Sequence, residues 1–451
     1  MRISAGRAVA VLWATVLLTG LGAHDAGALP LYARQTGQEC AACHNGFPEL
    51  TPYGRLFKLN GYTFPGAVPG ANGTAYVPPL SAMVLASFNH TQTSNQTPLP
   101  YFSANDNPAI DQVSLFTGGK ILDNLGAFVQ GTYDGVGHQL HWDNMDVRYA
   151  TSYQIAGTEM VSGISVNNNP TMSDVWNTTP AWRYPYVFSR FTSGSPPVAT
   201  LVDGALAQRV VGMTAYSMWH RLLFIDAGAY DTFSKTLDKA LGVAAPPNAD
   251  TLQGLTPYWR LALLHDWGRN SVELGTFGLA ASMYPGGDHS NGTNRYSDRG
   301  VDAQYQFLSD EHSLSFQGTY IDESQHRSAD FASGSSSNLS DHLRSLNLKA
   351  TYGYDQTYYA TVDYFRDDGS ADASLYPGSA SGSPNGRGWT FELDYMPFNH
   401  GGPSFWPWAN AKIGLQYTTY EKLFGSGKNY DGAGANADGQ NTLYLFLWLA
   451  F

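Results

Sequence analysis

Charge is scarce in this chain. Asp, Glu, Lys and Arg make up 14% of its 451 residues, against about 25% in ordinary soluble domains. The charge present leans acidic, with a formal net of −12, so the chain lacks the basic surface that a phosphate backbone requires, and nucleic acid is excluded as a partner. Long apolar runs are missing after the N-terminal segment, and nothing there approaches the ~18 apolar residues of a membrane-spanning helix. Cysteine is nearly absent, with two in the whole chain. Against these shortages stand aromatics at 14%, among them 28 Tyr and 11 Trp, together with 48 Gly.

The two cysteines lie in Cys40-Ala41-Ala42-Cys43-His44. That spacing reads as a covalent c-type haem attachment site. Each thiol would bond one haem vinyl group, and His44 would take an axial position on the iron. The rival uses are weaker. A structural zinc site wants four protein ligands and finds no second cluster at suitable spacing. A thioredoxin-like pair needs a βαβ setting that the flanking sequence lacks. A bare disulfide or a chance match are the remaining alternatives.

Arg2 and Arg7 precede an apolar run over 8–21, and Ala26-Gly27-Ala28 follows it. This pattern predicts a secretory signal over 1–28 and a mature start at Leu29. Losing Arg2, Arg7 and Asp25 takes the formal charge from −12 to −13. In a bacterium the cysteines would then emerge into the periplasm, where c-type haem is attached.

Few charges, many aromatics and glycines, and no transmembrane helix suit an outer-membrane β-barrel. A large secreted β-sandwich or propeller is the competing reading. The C-terminal half alternates with period two: Val301, Ala303, Tyr305 and Phe307 are interleaved with Asp302, Gln304 and Gln306. The same rhythm runs through Leu346–Tyr352, Trp389–Tyr395 and Ala411–Tyr417. Apolar-out, polar-in strands require this, although a sandwich with its apolar face inward would read alike. Two features favour the barrel. The last strand puts Leu443, Leu445, Leu447, Leu449 and Phe451 on one face and ends on an aromatic, which resembles the C-terminal targeting strand of bacterial outer-membrane proteins. About sixteen strand-like segments also alternate between long connections (91–109, 167–200, 234–256, 324–340, 367–386, 421–440) and tight ones (123–124, 267–270, 309–311, 353–356), the expected rhythm of extracellular loops and periplasmic turns. The expected fold is all-β: a barrel over 80–451 of about sixteen strands, preceded by a small helical haem segment and linker over 29–79 that plugs the lumen. Both chain ends fall on the periplasmic side, with the N-terminus there or inside the barrel.

Within 29–79, Thr51 is set to cap a helix running from Pro52 to about Asn60, and Gly61 to end it. Phe47, Leu50, Tyr53, Phe57 and Leu59 could cover the haem face. Arg55 and Lys58 could meet its propionates, or simply be solvated. The stretch 68–79, rich in Gly, Pro and Asn, reads as a linker. For the sixth iron position, parity on the first strand puts Ser81, Met83, Leu85, Ser87 and Asn89 in the lumen, which makes Met83 the candidate. His90 has the opposite parity, and an open position is the third option. His/Met ligation would raise the reduction potential.

The run Ala33-Arg-Gln-Thr-Gly-Gln-Glu-Cys-Ala-Ala-Cys-His44 and the following Phe47-Pro-Glu-Leu-Thr-Pro-Tyr-Gly-Arg-Leu-Phe-Lys-Leu-Asn-Gly-Tyr-Thr-Phe64 resemble the fused outer-membrane cytochrome–porins of iron-oxidising bacteria. Pro79-Leu-Ser-Ala-Met83 and the stretches 167–170, 174–177 and 180–182 share the likeness, which is close in the haem segment and architectural in the barrel. The resemblance implies one c-type haem on Cys40, Cys43 and His44. It also implies oxidation of extracellular Fe(II), with electrons passing to a periplasmic cytochrome or cupredoxin as in an iron:cytochrome oxidoreductase. Asp302, Glu392, Asp394 and Tyr359 could tune the centre or merely solvate the bore. Asp322, Glu323, Asp367 and Asp368 read as loop acids able to attract Fe(II), or as plain surface charge. The loop 167–200, with Trp176, Trp182, Tyr184 and Tyr186, is a candidate lid or bore packing. The alternatives are a solute porin with a structural or sensory haem plug, or a conduit for another extracellular donor.

Overall fold

The computed structural model describes residues 31–64, 79–95, 97–192, 198–233, 249–402 and 409–451. The signal expected over 1–28, with its mature start at Leu29, and the linker up to residue 78 lie outside them, as does part of the connection 234–256.

The strands are β1 (Leu80–Thr91), β2 (Asn107–Leu122), β3 (Leu125–Asp134), β4 (Gln139–Ile155), β5 (Thr158–Asn167), β6 (Val210–Trp219), β7 (Leu223–Thr232), β8 (Thr251–Leu252), β9 (Thr256–Trp267), β10 (Asn270–Tyr284), β11 (Asn294–Leu308), β12 (His312–His326), β13 (Ser340–Tyr354), β14 (Tyr358–Gly369), β15 (Gly386–Tyr395), β16 (Asn410–Lys422) and β17 (Thr442–Ala450). Apart from the two-residue β8, they form a closed antiparallel barrel of sixteen long strands. The closing pair is β1 with β17, from Met83 opposite Ala450 to Thr91 opposite Thr442. Closure leaves no free sheet edge, the condition for a sheet to stand in lipid.

The burial pattern is inverted relative to a soluble sandwich. Val301 is 52% and Leu348 47% exposed, while Asp302 is 5% and Lys349 4% exposed on the same strands. Trp389, Phe391, Leu393 and Tyr395 also point outward. An apolar band outside and a polar wall inside make this a transmembrane-type barrel, porin-like in architecture. The tight turns fall at 123–124, 268–269, 309–311 and 355–357 at one mouth. The longer connections join strands at the other, and on the tight side β15 and β16 are joined by 396–409, of which 403–408 lie outside the described residues.

The bore is filled from both mouths. From the tight-turn mouth enter three short helices, α1 (Leu31–Thr36), α2 (Cys40–Cys43) and α3 (Pro52–Leu59). Lys120 N donates to Gln35 Oε1 at 2.9 Å, Ala41 N to the Asn399 carbonyl at 3.1 Å, and Arg34 to the Leu80 carbonyl. From the other mouth the described residues of the connection 168–209 (168–192 and 198–209) fold inward, with Leu201 N on Glu323 (2.5 Å) and Val202 N on Asp298 (2.7 Å). Its Trp176 is fully buried, edge-on to Phe224. The described residues of this loop pack inside the bore. Arg148 joins the two fillings, donating to the Lys58 carbonyl of the plug and to the Met172 and Ser173 carbonyls of the loop (3.4, 3.0 and 3.0 Å).

Candidate haem site

The cysteine pair sits on α2, a single helical turn whose last carbonyl partners come from the next segment. His44 N donates to the Cys40 carbonyl at 2.9 Å, and Thr51 N to that of Cys43 at 3.0 Å. Between them the chain doubles back, pairing His44 with Leu50 and Asn45 N with the Glu49 carbonyl at 2.9 Å. Thr51 then caps α3 by accepting from Gly54 N at 3.2 Å. The helix ends at Leu59, one residue before the expected limit, with Gly61 in the left-handed conformation that glycine tolerates (φ 67°). Gly54 is needed for another reason: a Cβ there would lie 2.3 Å from the Cys43 carbonyl oxygen. The close crossing of α3 over α2 requires a residue without a side chain.

Cys40, Cys43, His44 and Met83 line one cavity of about 310 Å³. Phe47, Leu50, Phe57, Phe116 and Phe128 supply its apolar wall. The volume falls within the range of small-molecule sites. His44 stacks edge-on to Phe47, ring centres 4.8 Å apart, and Phe47 in turn meets Trp448. Burial pulls the His44 imidazole down to about 4, against the opposing pull of the Pro48 and Glu49 main chain. It is therefore neutral near pH 7, the form able to ligate a metal. Its Nδ1 is buried without a hydrogen-bond partner. The indole nitrogens of Trp182 and Trp448, on the same cavity wall, are equally unpartnered. Two thiols at attachment spacing, a neutral imidazole, a thioether and an apolar wall with unmatched donors fit a c-type haem.

Met83 is 2% exposed and packs with Leu31 and Phe116. The lumen parity read for Ser81, Met83, Leu85, Ser87 and Asn89 holds for every one of them. His90 faces outward, exposed, with its Nδ1 2.8 Å from Asp106, and is removed from the cavity.

Other expectations need correction. Arg55 and Lys58 are buried, not solvated, because the sides of the helix that carry them pack against the bore wall and the inward loop. Arg55 turns to the wall, donating to Ser271 (3.0 Å), Gln306 (3.1 Å) and Gln304 (3.3 Å). Lys58 lines the cavity, with Nζ 2.8 Å from Asn177 Oδ1, and burial brings its ammonium down to about 7. Leu59 packs with Trp176 and Phe224 against the wall, and Tyr53 is not on the cavity. Asp322, Glu323, Asp367 and Asp368 belong to strands, not loops. Asp322 pairs outward with Arg344 and Asp368 with Arg366, while Glu323 and Asp367 face the bore. Among the described residues no group of three or more His, Cys, Asp or Glu is placed to hold a metal ion. Asp302 is bound by Arg260 (2.6 Å), and Glu392 and Asp394 share Lys412 (2.9 Å each). Tyr359 packs under Gly46.

Residues that motif reading passed over hold the plug in place. Glu49 meets Lys349 at 2.8 Å and accepts from Gln306 at 2.9 Å, and Tyr62 donates to Asp146 at 2.6 Å. Nothing local marks them, since each partner lies far away along the chain.

No family model matches this chain, and no curated protein matches it. Among solved structures it is similar to an anion-selective porin from Comamonas acidovorans (14% identity, TM-score 0.45), covering 82% of this chain and 98% of that one. It is also similar to the outer membrane channel DcaP of Acinetobacter baumannii (10%, TM-score 0.42, covering 82% and 96%). A third is OccK2 of Pseudomonas aeruginosa (11%, TM-score 0.39, covering 82% and 96%). The barrel assignment rests on this chain's own strand pairing and outward apolar band.

Proposed function

We propose that this protein is a haem-carrying barrel of the bacterial outer membrane that moves electrons across it. Extracellular Fe(II) is the donor implied by the resemblance of the N-terminal segment, and a periplasmic cytochrome or cupredoxin is the acceptor. One observation carries the reading. The bore is filled from both mouths around a partly open cavity, and the only two cysteines of the chain line it together with His44 and Met83. When bound, haem supplies a one-electron centre. Cys40 and Cys43 would tether it, His44 and Met83 would ligate it, and Phe47, Phe57, Phe116 and Phe128 would cover its faces. The tight-turn mouth, where the plug enters, is the periplasmic side by the general asymmetry of such barrels.

The porin-like architecture favours a second reading, a solute channel whose haem plug is structural or sensory. Two measurements separate them. Oxidised protein mixed anaerobically with Fe(II) in a stopped-flow instrument should show prompt haem reduction, lost in an inserted His44 variant. Haem that accepts electrons from dithionite but not from Fe(II) would move the search to another donor. In a planar bilayer the conduit should pass little ionic current, and a large steady solute-dependent current would favour the channel.

A further inference from the structure

Among the described residues three lysines are buried, namely Lys58, Lys349 and Lys412. Lys349 sits on Glu49, and Lys412 on Glu392 and Asp394, all at about 2.8–2.9 Å. Lys58, 4% exposed, has a hydrogen bond to Asn177 and no carboxylate within ion-pair reach among the described residues. The nearby Asp146 and Asp174 are taken by Arg148 and Arg260. An ammonium buried without a counter-charge is costly, yet this one faces the cavity. Its Nζ lies 5.6 Å from the ring centre of Trp182, whose indole NH is buried and unpartnered on the same wall. Two donors with spare capacity, one cationic, define a place for a carboxylate.

We infer that Lys58 and Trp182 hold a propionate of the haem, so that the cavity has a thioether end at Cys40 and Cys43 and a carboxylate end against the inward loop. This rests on the haem reading above and refines it, because Arg55, the other basic residue of α3, is committed to the wall. Lys58 is then a positioning residue: a cation fixed beside the haem favours the added electron, and the loop residue Asn177 orients it.

The test uses full-length protein in nanodiscs. Haem per chain is counted first by its alkaline pyridine spectrum, and a wild-type protein without covalent haem would overturn the haem reading and this assignment with it, whereas a haem-loaded protein puts the assignment alone to the test. Midpoint potentials are then compared at pH 6, below the value of about 7 to which burial brings the Lys58 ammonium, so that the cation is present in wild type. Lys58→Met should lower the potential by the equivalent of at least a tenfold change in the reduction equilibrium, 59 mV for one electron. Lys58→Arg should restore most of it, and Arg55→Met should leave it unmoved. If Lys58→Met fails to insert, Trp182→Phe decides, with a smaller fall in the same direction expected. An unchanged potential in whichever variant carries haem overturns the assignment.

Discussion

The Glu49 carboxylate and the Lys349 ammonium meet at 2.8 Å inside the bore, 1% and 2% exposed. Glu49 belongs to the plug and Lys349 to β13, so this pair ties two parts of the chain that share no hydrogen-bonded backbone. Removing one partner strands the other charge. Lys349→Met should weaken plug docking by about 3–5 kcal/mol, enough to raise the undocked population roughly a hundredfold or more. Proteolysis of the 31–64 segment in embedded protein reads that population when opening is fast relative to cleavage. The double variant with Glu49→Gln should recover much of the loss.

The same pair sets a pH limit. Burial alone would raise the Glu49 carboxyl, but Lys349 beside it, with a hydrogen bond from Gln306, holds it below the usual range. A folded-state value below the unfolded one, near 4.3 for Glu, stabilises the docked plug at higher pH. That contribution is lost as pH falls through the lowered value. The share of docking that the Glu49–Lys349 pair supplies, read as the difference between wild type and a variant lacking both charges, should be flat from pH 8 to about 5 and be lost only below about 4. Current through a planar bilayer checks this, and the Glu49→Gln, Lys349→Met double variant should lose that acid onset.

Met83→Leu conserves volume and should cost less than about 1.5 kcal/mol. If the thioether ligates the haem, the variant inserts normally but shows a lower midpoint potential and a high-spin reduced spectrum sensitive to carbon monoxide. A spectrum matching wild type would reduce Met83 to packing.

Gly54→Ala sets two effects against each other. In a free helix alanine is preferred over glycine by about 1 kcal/mol. Here the added carbon would lie 2.3 Å from the Cys43 carbonyl, and relieving such an overlap costs about 1–3 kcal/mol. The substitution should therefore destabilise the plug, seen as faster proteolysis and a lower haem yield.

Deleting 31–64 should raise the conductance, since that segment closes the tight-turn mouth. The rise should be partial, because the 168–209 connection still occupies the other end. Single-channel recording distinguishes partial from full opening.

The wall and the presence of a plug within it were legible; the partners that pack the bore were not. Ser81 to Asn89 took their sides as parity required, because lipid and lumen impose opposite chemistry on alternate residues. The turns at 123–124 and 309–311 were equally plain, being polar breaks between apolar-periodic runs. Trp176 and Leu201 carry no such signal: an inward loop and an outward loop have the same composition until their partners on distant strands are known. For Arg55 and Lys58 the sequence leaves haem propionates and solvent both open, since a helix read alone has no neighbours to say which of its sides is wet. Asp322 and Asp367 were misplaced for a related reason, as several strands run beyond their apolar band.

The placing of Cys40 and Cys43 within a closed ring of strands constrains the order of biogenesis. An enzyme that joins haem to two thiols is itself a folded protein and could not work inside this bore. A haem borne by these cysteines would have to be joined while the segment is still outside the ring. The strands would then close around a finished cofactor, and a chain that inserted too early would be committed to an empty one.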